Sequence, residues 1–149
     1  MESSPLDPLA IIVVVSVLSS LIYFSFRTWK NKELFKTAFA FYQQKDYVNA
    51  EETFRQLISI NSTNDLVHLL LGDTLMRQKK VDDAICKYKE VIERAPKNID
   101  GYLRLANALL LEEKQQEAID FLEKAQDYFE SKHYANELDK LQYILQKIK

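Results

Sequence analysis

Two histidines, one cysteine and a few adjacent carboxylates are the groups on which metal binding or covalent catalysis would have to rest. A zinc site needs three or four His, Cys or carboxylate ligands at compatible spacing. His68 and His133 lie far apart, and neither sits among Cys or carboxylates at that spacing. A nucleophilic thiol needs a nearby base, and Cys86 has no histidine three or four positions away on either side. Asp82–Asp83 and Glu112–Glu113 are read as turn residues between helices, where acidic side chains favour the N-terminus of a following helix. No glycine-rich loop is present to cradle a phosphate. We therefore expect no enzyme, no metal and no cofactor, and look for non-covalent recognition instead.

The elements that would support recognition are set out by a period of 34. Ala50, Ala84 and Ala118 recur at that spacing, as do the small residues Ala38, Gly72 and Ala106. Larger side chains keep the same step: Leu34, His68 and Tyr102; Thr37, Leu71 and Leu105; Phe41, Leu75 and Leu109; Phe54, Tyr88 and Leu122; Leu57, Val91 and Ala125. Small residues let two helices approach, and large ones fill the space around them. Pro96 stands where the middle unit must leave one helix and start the next, a place held by Ser62 and Glu130 in the outer units.

On these residues the chain resembles the tetratricopeptide (TPR) family, whose repeat is a helix-turn-helix of 34 residues. The resemblance covers 31–132 as units 31–64, 65–98 and 99–132. It implies an all-α fold of three stacked units with a concave face that binds proteins. In TPR domains that face is formed by places two, five, nine, twelve and thirteen of each first helix. Carried over to this chain, the implied protein-binding groove takes Phe35, Phe39 and Tyr42 from the first unit. It takes Leu66, Leu69, Asp73, Met76 and Arg77 from the second, and Leu103, Asn107 and Leu110 from the third, with Arg104 at the adjoining sixth place. Domains of this family that clamp acidic chaperone tails have Lys and Asn where Phe35 and Phe39 stand here, and only Arg104 matches that clamp. The resemblance thus implies an apolar groove bounded by a few polar groups, suited to an apolar or amphipathic helix.

At the other end of the chain, 9–26 (LAIIVVVSVLSSLIYFSF) runs without a charge. At 1.5 Å per residue it reaches ~27 Å, close to the ~30 Å hydrocarbon core of a bilayer. A cleaved signal needs a basic start and a small-residue cleavage site, whereas the leader 1–8 carries Glu2 and Asp7 and the run ends in Tyr23, Phe24 and Phe26. We expect a retained transmembrane anchor behind a short N-terminal tail, followed by a basic flank, 27–30. Arg27, Lys30 and Lys32 place the repeats on the cytosol-like side, with Tyr23 and Trp29 at the interfacial belt.

With two glycines and three prolines in 149 residues, the rest reads as helices joined by short turns. The net charge of −2 and the absence of a basic stripe exclude a nucleic-acid footprint. Lys79, Lys80, Lys87 and Lys89 are expected on a solvated face. Cys86, the single cysteine, excludes an internal disulfide. In 133–149, Tyr134, Leu138, Leu141, Leu145 and Ile148 recur at helical spacing, as a helix capping the last apolar edge would require.

One N-terminal anchor followed by three TPR units also resembles the small thylakoid proteins of cyanobacteria and red-lineage plastids that assist photosystem I assembly. That resemblance implies a single-pass plastid thylakoid protein with its repeats on the stromal side. It implies photosystem I subunits or assembly factors as partners. Fifteen lysines against five arginines, with abundant Ile, Asn, Phe and Tyr, suit an A/T-rich organelle genome. No transit peptide is expected ahead of the anchor, so a plastid protein of this form would be plastid-encoded. The alternative is a membrane-bound receptor for amphipathic targeting segments, like the N-anchored TPR receptor of the mitochondrial outer membrane. A bacterial inner-membrane scaffold is a third reading.

Overall fold

A computed structural model describes residues 7–148, so most of the expected tail 1–8 lies outside the described residues. Seven helices make up that region: α1 Pro8–Gln43, α2 Tyr47–Ile60, α3 Asp65–Arg77, α4 Val81–Arg94, α5 Ile99–Leu111, α6 Gln115–Ser131 and α7 Ala135–Ile148. Each packs on its neighbour in sequence, and α3 also meets α5. This is the nearest-neighbour stacking of a helical solenoid.

Helix α1 begins where Asp7 accepts a hydrogen bond from the Leu9 amide (3.0 Å), with Pro8 in the first turn, a position that needs no amide donor. It then runs 36 residues, ~54 Å, through the whole uncharged segment and on into the first helix of the first unit. It is long and apolar enough to cross a membrane, and its most apolar stretch is covered by no other part of the described chain. Sequence reading separates 9–26, 27–30 and a first unit 31–64; the backbone runs through both boundaries in one uninterrupted helix that ends at Gln43.

The first helix of each unit ends in the same way. Lys45, Lys79 and Glu113 adopt φ of 62°, 63° and 60°, and His133 repeats this (59°) after α6. At each place two backbone bonds close the end: Lys45 N donates to Tyr42 O and Asp46 N to Phe41 O, with equivalent pairs at Lys79–Lys80, Glu113–Lys114 and His133–Tyr134. These are Schellman closures built on left-handed residues that are not glycine. They reverse the chain within a few residues and set the second helix of each unit against the first.

Ala50, Ala84 and Ala118 are completely buried, and so is Ala38, with Gly72 and Ala106 close to it. Around them Phe54, Leu71, Leu75 and Tyr88 form one core beneath the first two units. Tyr102, Leu122, Phe129 and Leu141 form a second beneath the third unit and α7, with Ile92 and Phe121 packed against both. Fully burying side chains of this size contributes roughly 1.5–3 kcal/mol each. Helix α7 supplies Leu141 and Leu145 to that second core, covering the exposed side of α6.

Polar contacts fix the unit boundary. Arg94, at the end of α4, donates to Asp65 through Nε (2.8 Å) and Nη2 (2.6 Å) and to Ser62 O through Nη1 (2.9 Å). Glu51 of α2 accepts from Lys80 (2.7 Å) and from Gln78 (2.8 Å), whose amide also donates to Tyr47 O (3.0 Å). Lys80 is thus paired, as is Lys87 with Glu90 (2.5 Å), so the lysine group around the second unit is not uniformly a free solvated face.

Candidate protein-binding groove

The first helix of every unit presents one side to a shared concavity. At its centre is a cavity of about 450 Å³ whose walls come from Tyr42, Asp73, Met76, Arg77, Leu103, Arg104 and Asn107, with Leu111 at the rim and Tyr88 behind. Residues from all three units therefore converge, because the step of 34 places equivalent faces side by side.

The floor of this cavity is polar. Asp73 accepts a hydrogen bond from the Tyr88 hydroxyl (2.9 Å) and pairs with the Arg104 guanidinium. Burial pushes the Tyr88 phenol well above its ordinary pKa, so it stays a donor. Burial also lowers Arg104, which nonetheless remains cationic beside its carboxylate. Arg77 is exposed, and its guanidinium is raised by a hydrogen bond to Tyr42. Two guanidiniums and one carboxylate leave this centre with a net positive charge. The expectation of an apolar groove is corrected here: the apolar side chains flank a hydrogen-bonded, cationic middle.

Five other expected residues are placed differently. Leu69 is 2% exposed and belongs to the first core, against which Phe35, Tyr42 and Met76 also pack, so the folded chain presents almost none of it to a partner. Phe35 and Leu66 line a second cavity at the foot of the groove, with Thr28, Lys32, Leu57 and Asn64. Leu110 is half-buried and lines neither cavity. Phe39 bridges the two regions, its ring 6.3 Å from those of both Phe35 and Tyr42. The sequence reading did not include Tyr88 in the groove. Its recurrence with Phe54 and Leu122 identifies a core ring, which it is; the hydroxyl that reaches Asp73 leaves no periodic trace.

His68, at a packing position in the sequence, is buried with Nε2 2.9 Å from Ser62 O and Nδ1 3.3 Å from a Glu90 carboxylate oxygen. Folding brings it a carboxylate from α4 that sequence spacing does not reveal. Among the described residues, no three His, Cys, Asp or Glu side chains gather as a metal site would need.

Comparison with known proteins agrees with this architecture. Two family models described as tetratricopeptide repeat match 41–86 and 69–132, together more than half of the chain. A curated relative, the STIP1 homolog of Dictyostelium discoideum, is 34% identical over 70 residues, which are 47% of this chain and 12% of that protein. The chain thus spans a small part of that relative's length. Among solved structures, the type III secretion translocator chaperone SycD of Yersinia enterocolitica is 26% identical, with a TM-score of 0.65 over 79% of this chain and 90% of that one. SycD in complex with a peptide of the translocator YopD gives 23% identity and a TM-score of 0.59 over 75% and 92%. The TPR2B domain of yeast Sti1, in its pHsp70 complex, gives 20% and 0.63 over 80% and 98%. With the 34-residue step, the helix pairs and both family matches in agreement, the chain belongs to the tetratricopeptide-repeat family.

Proposed function

We propose that this chain is a membrane-anchored scaffold that holds protein partners in its concave groove on the cytosol-like side of the bilayer. One observation carries the reading: the apolar run and the aromatic wall of the groove, Phe35, Phe39 and Tyr42, lie on the single helix α1. A continuous helix transmits orientation, so a partner seated in the groove is held at a set height and direction above the membrane. The solved SycD–YopD peptide complex supports peptide capture as the mode of action in a fold of this kind. A partner segment suited to this groove presents apolar anchors to Met76, Leu103 and Leu111 and an acidic or hydrogen-bonding group to Arg77, Arg104 and Asn107.

Within that frame we assign the scaffold to photosystem I assembly at a thylakoid membrane, on the resemblance of its layout to the small anchored TPR proteins of cyanobacteria and plastids. The test is affinity capture of the tagged full-length chain from gently solubilised photosynthetic membranes, beside an Arg77→Glu/Leu111→Asp variant. Recovery of photosystem I subunits from assembly intermediates, lost in the variant, is the expected result. Recovery of targeting-sequence precursors and translocation pores would replace assembly with the receptor function. Equal recovery by both proteins would remove the groove as the binding surface.

A further inference from the structure

The cavity at the foot of the groove and the cavity at its centre are joined by an aromatic strip. The foot, of about 460 Å³, has an apolar floor that includes Phe35, Leu57 and Leu66, with Lys32 and Lys36 on its α1 side, and no carboxylate lines it. Lys36 pairs with Glu33 at 2.8 Å, while Lys32 is exposed and stands in no ion pair among the described residues. From there Phe35, Phe39 and Tyr42 climb one face of α1, successive rings 6.3 Å apart and nearly parallel (5° and 17°). Tyr42 is already a wall of the central cavity, beside Arg77 and Arg104. The strip therefore runs from cations at the foot, over an aromatic ladder, to cations at the centre. Along α1 the rise from Lys32 to Tyr42 is ~15 Å, which sets the separation of the two cationic ends. Phe39 is 37% exposed and Leu66 51%, so the folded chain leaves this strip uncovered.

Position and charge together select the occupant. With α1 spanning the bilayer through 9–26, Phe35 stands ~13 Å beyond Phe26 on an unbroken helix. The polar layer on each side of the hydrocarbon is about 5–7 Å thick, so the floor of the foot lies on the aqueous side, beyond the reach of an acyl chain from the bilayer. A helix laid along α1 repeats its rise, and side chains one turn apart then meet successive rings of the ladder. Its charge must oppose that of both ends. At the centre Asp73 already engages Arg104, which leaves Arg77 as the cation open to a ligand. Resting on the reading of the groove as the partner-binding face, we propose that foot and centre hold one partner segment, an amphipathic helix with acidic side chains at both ends of an apolar pair. The apolar pair sits on Phe35, Phe39 and Leu66, one carboxylate on Lys32 and Lys36, and the other on Arg77. Two charges read at a fixed separation set the register, which an apolar ladder by itself leaves free to slide.

The test titrates the full-length chain, held in phosphatidylcholine nanodiscs, into a labelled alanine-based helix and reads fluorescence anisotropy. The peptide carries two leucines one turn apart on one face and a glutamate one turn beyond each, which spaces the glutamates by three turns, ~16 Å. The wild type should bind it, and replacing either glutamate by glutamine should weaken binding about 2- to 5-fold, the range of solvent-reached ion pairs. Lys32→Glu/Lys36→Glu should weaken it about 10-fold, since repulsion adds to the lost attraction, and Leu66→Asp should do likewise from the floor. Lys89→Glu, outside both cavities, should leave binding unchanged. No binding by the wild type overturns the proposal, as does a loss in Lys89→Glu equal to that in the foot variants, which would mean diffuse attraction only. Displacement of the peptide by a short-chain, water-soluble phosphatidylglycerol would give the foot to a lipid and overturn it too. Foot variants that bind like the wild type, while Arg77→Glu/Leu111→Asp does not, refute the two-ended segment and leave the central groove standing. Full binding by both sets of variants refutes the groove and this proposal together.

Discussion

The ring of Tyr88 lies directly against the backbone of Gly72, so closely that a β-carbon there would stand 2.3 Å from Cε1 and 2.9 Å from Cδ1. This contact joins α3 to α4 at the centre of the middle unit and aims the Tyr88 hydroxyl at Asp73, 2.9 Å away. Gly72→Ala should gain up to about 1 kcal/mol in helix propensity. It must also push a fully buried ring out of its site, and overpacking of this kind costs about 1–3 kcal/mol. We expect a net loss of stability in thermal unfolding of the detergent-held chain. Adding Tyr88→Leu should recover part of it, since the two residues share one space. An unchanged melting temperature for Gly72→Ala would show that the ring moves freely.

Leu69 and Phe39 both carry groove places in the TPR register, yet they should respond oppositely to Ser. Leu69 is 2% exposed and Phe39 37%. Leu69→Ser should cost ~3–5 kcal/mol through the cavity and the buried hydroxyl, and should abolish capture by unfolding. Phe39→Ser should stay within about 1 kcal/mol of the parent and weaken capture of partners alone. Urea titrations beside capture assays separate the two.

Left-handed turn residues offer a stabilising change. Lys79 has φ 63°, a conformation that costs a residue with a β-carbon roughly 1–2 kcal/mol. Lys79→Gly should raise stability by up to about 1 kcal/mol after the larger chain entropy of glycine is counted. A drop in the urea midpoint would mean that the lysine side chain contributes more than its backbone costs.

Acid should loosen the joint between the first two units before it opens the rest. Burial alone would raise Glu51, but hydrogen bonds from Lys80, Arg55 and Gln78 hold its carboxyl down, from 4.5 to about 2. A folded-state pKa below the unfolded one gives stability that is present above pH 4.5 and is lost as pH falls towards 2. Melting temperatures should decline across that window, and Glu51→Gln should be less stable at neutral pH with a shallower decline. A variant that declines as steeply as the parent would place the acid-sensitive group elsewhere.

The sequence by itself determined the helical units and most of the core. Ala38, Ala50, Ala84, Ala106 and Ala118, with Phe54, Tyr88 and Leu122, recur at 34 and are buried together. That periodicity is legible because a helix repeats locally, so residues of one face carry one spacing whatever lies opposite. The uncharged run was legible for the same reason, since composition over a short window needs no partner. Tertiary structure alone decided the rest. Asp73 meets Arg104, a residue of another unit, and Tyr88 enters that pair from behind. The groove divides into a cationic centre and an apolar foot, and Leu69 turns inward. Such contacts depend on how far each helix is rotated and offset against the next, and on which rotamer reaches across. Those are properties of packed pairs, and no spacing within a single helix records them.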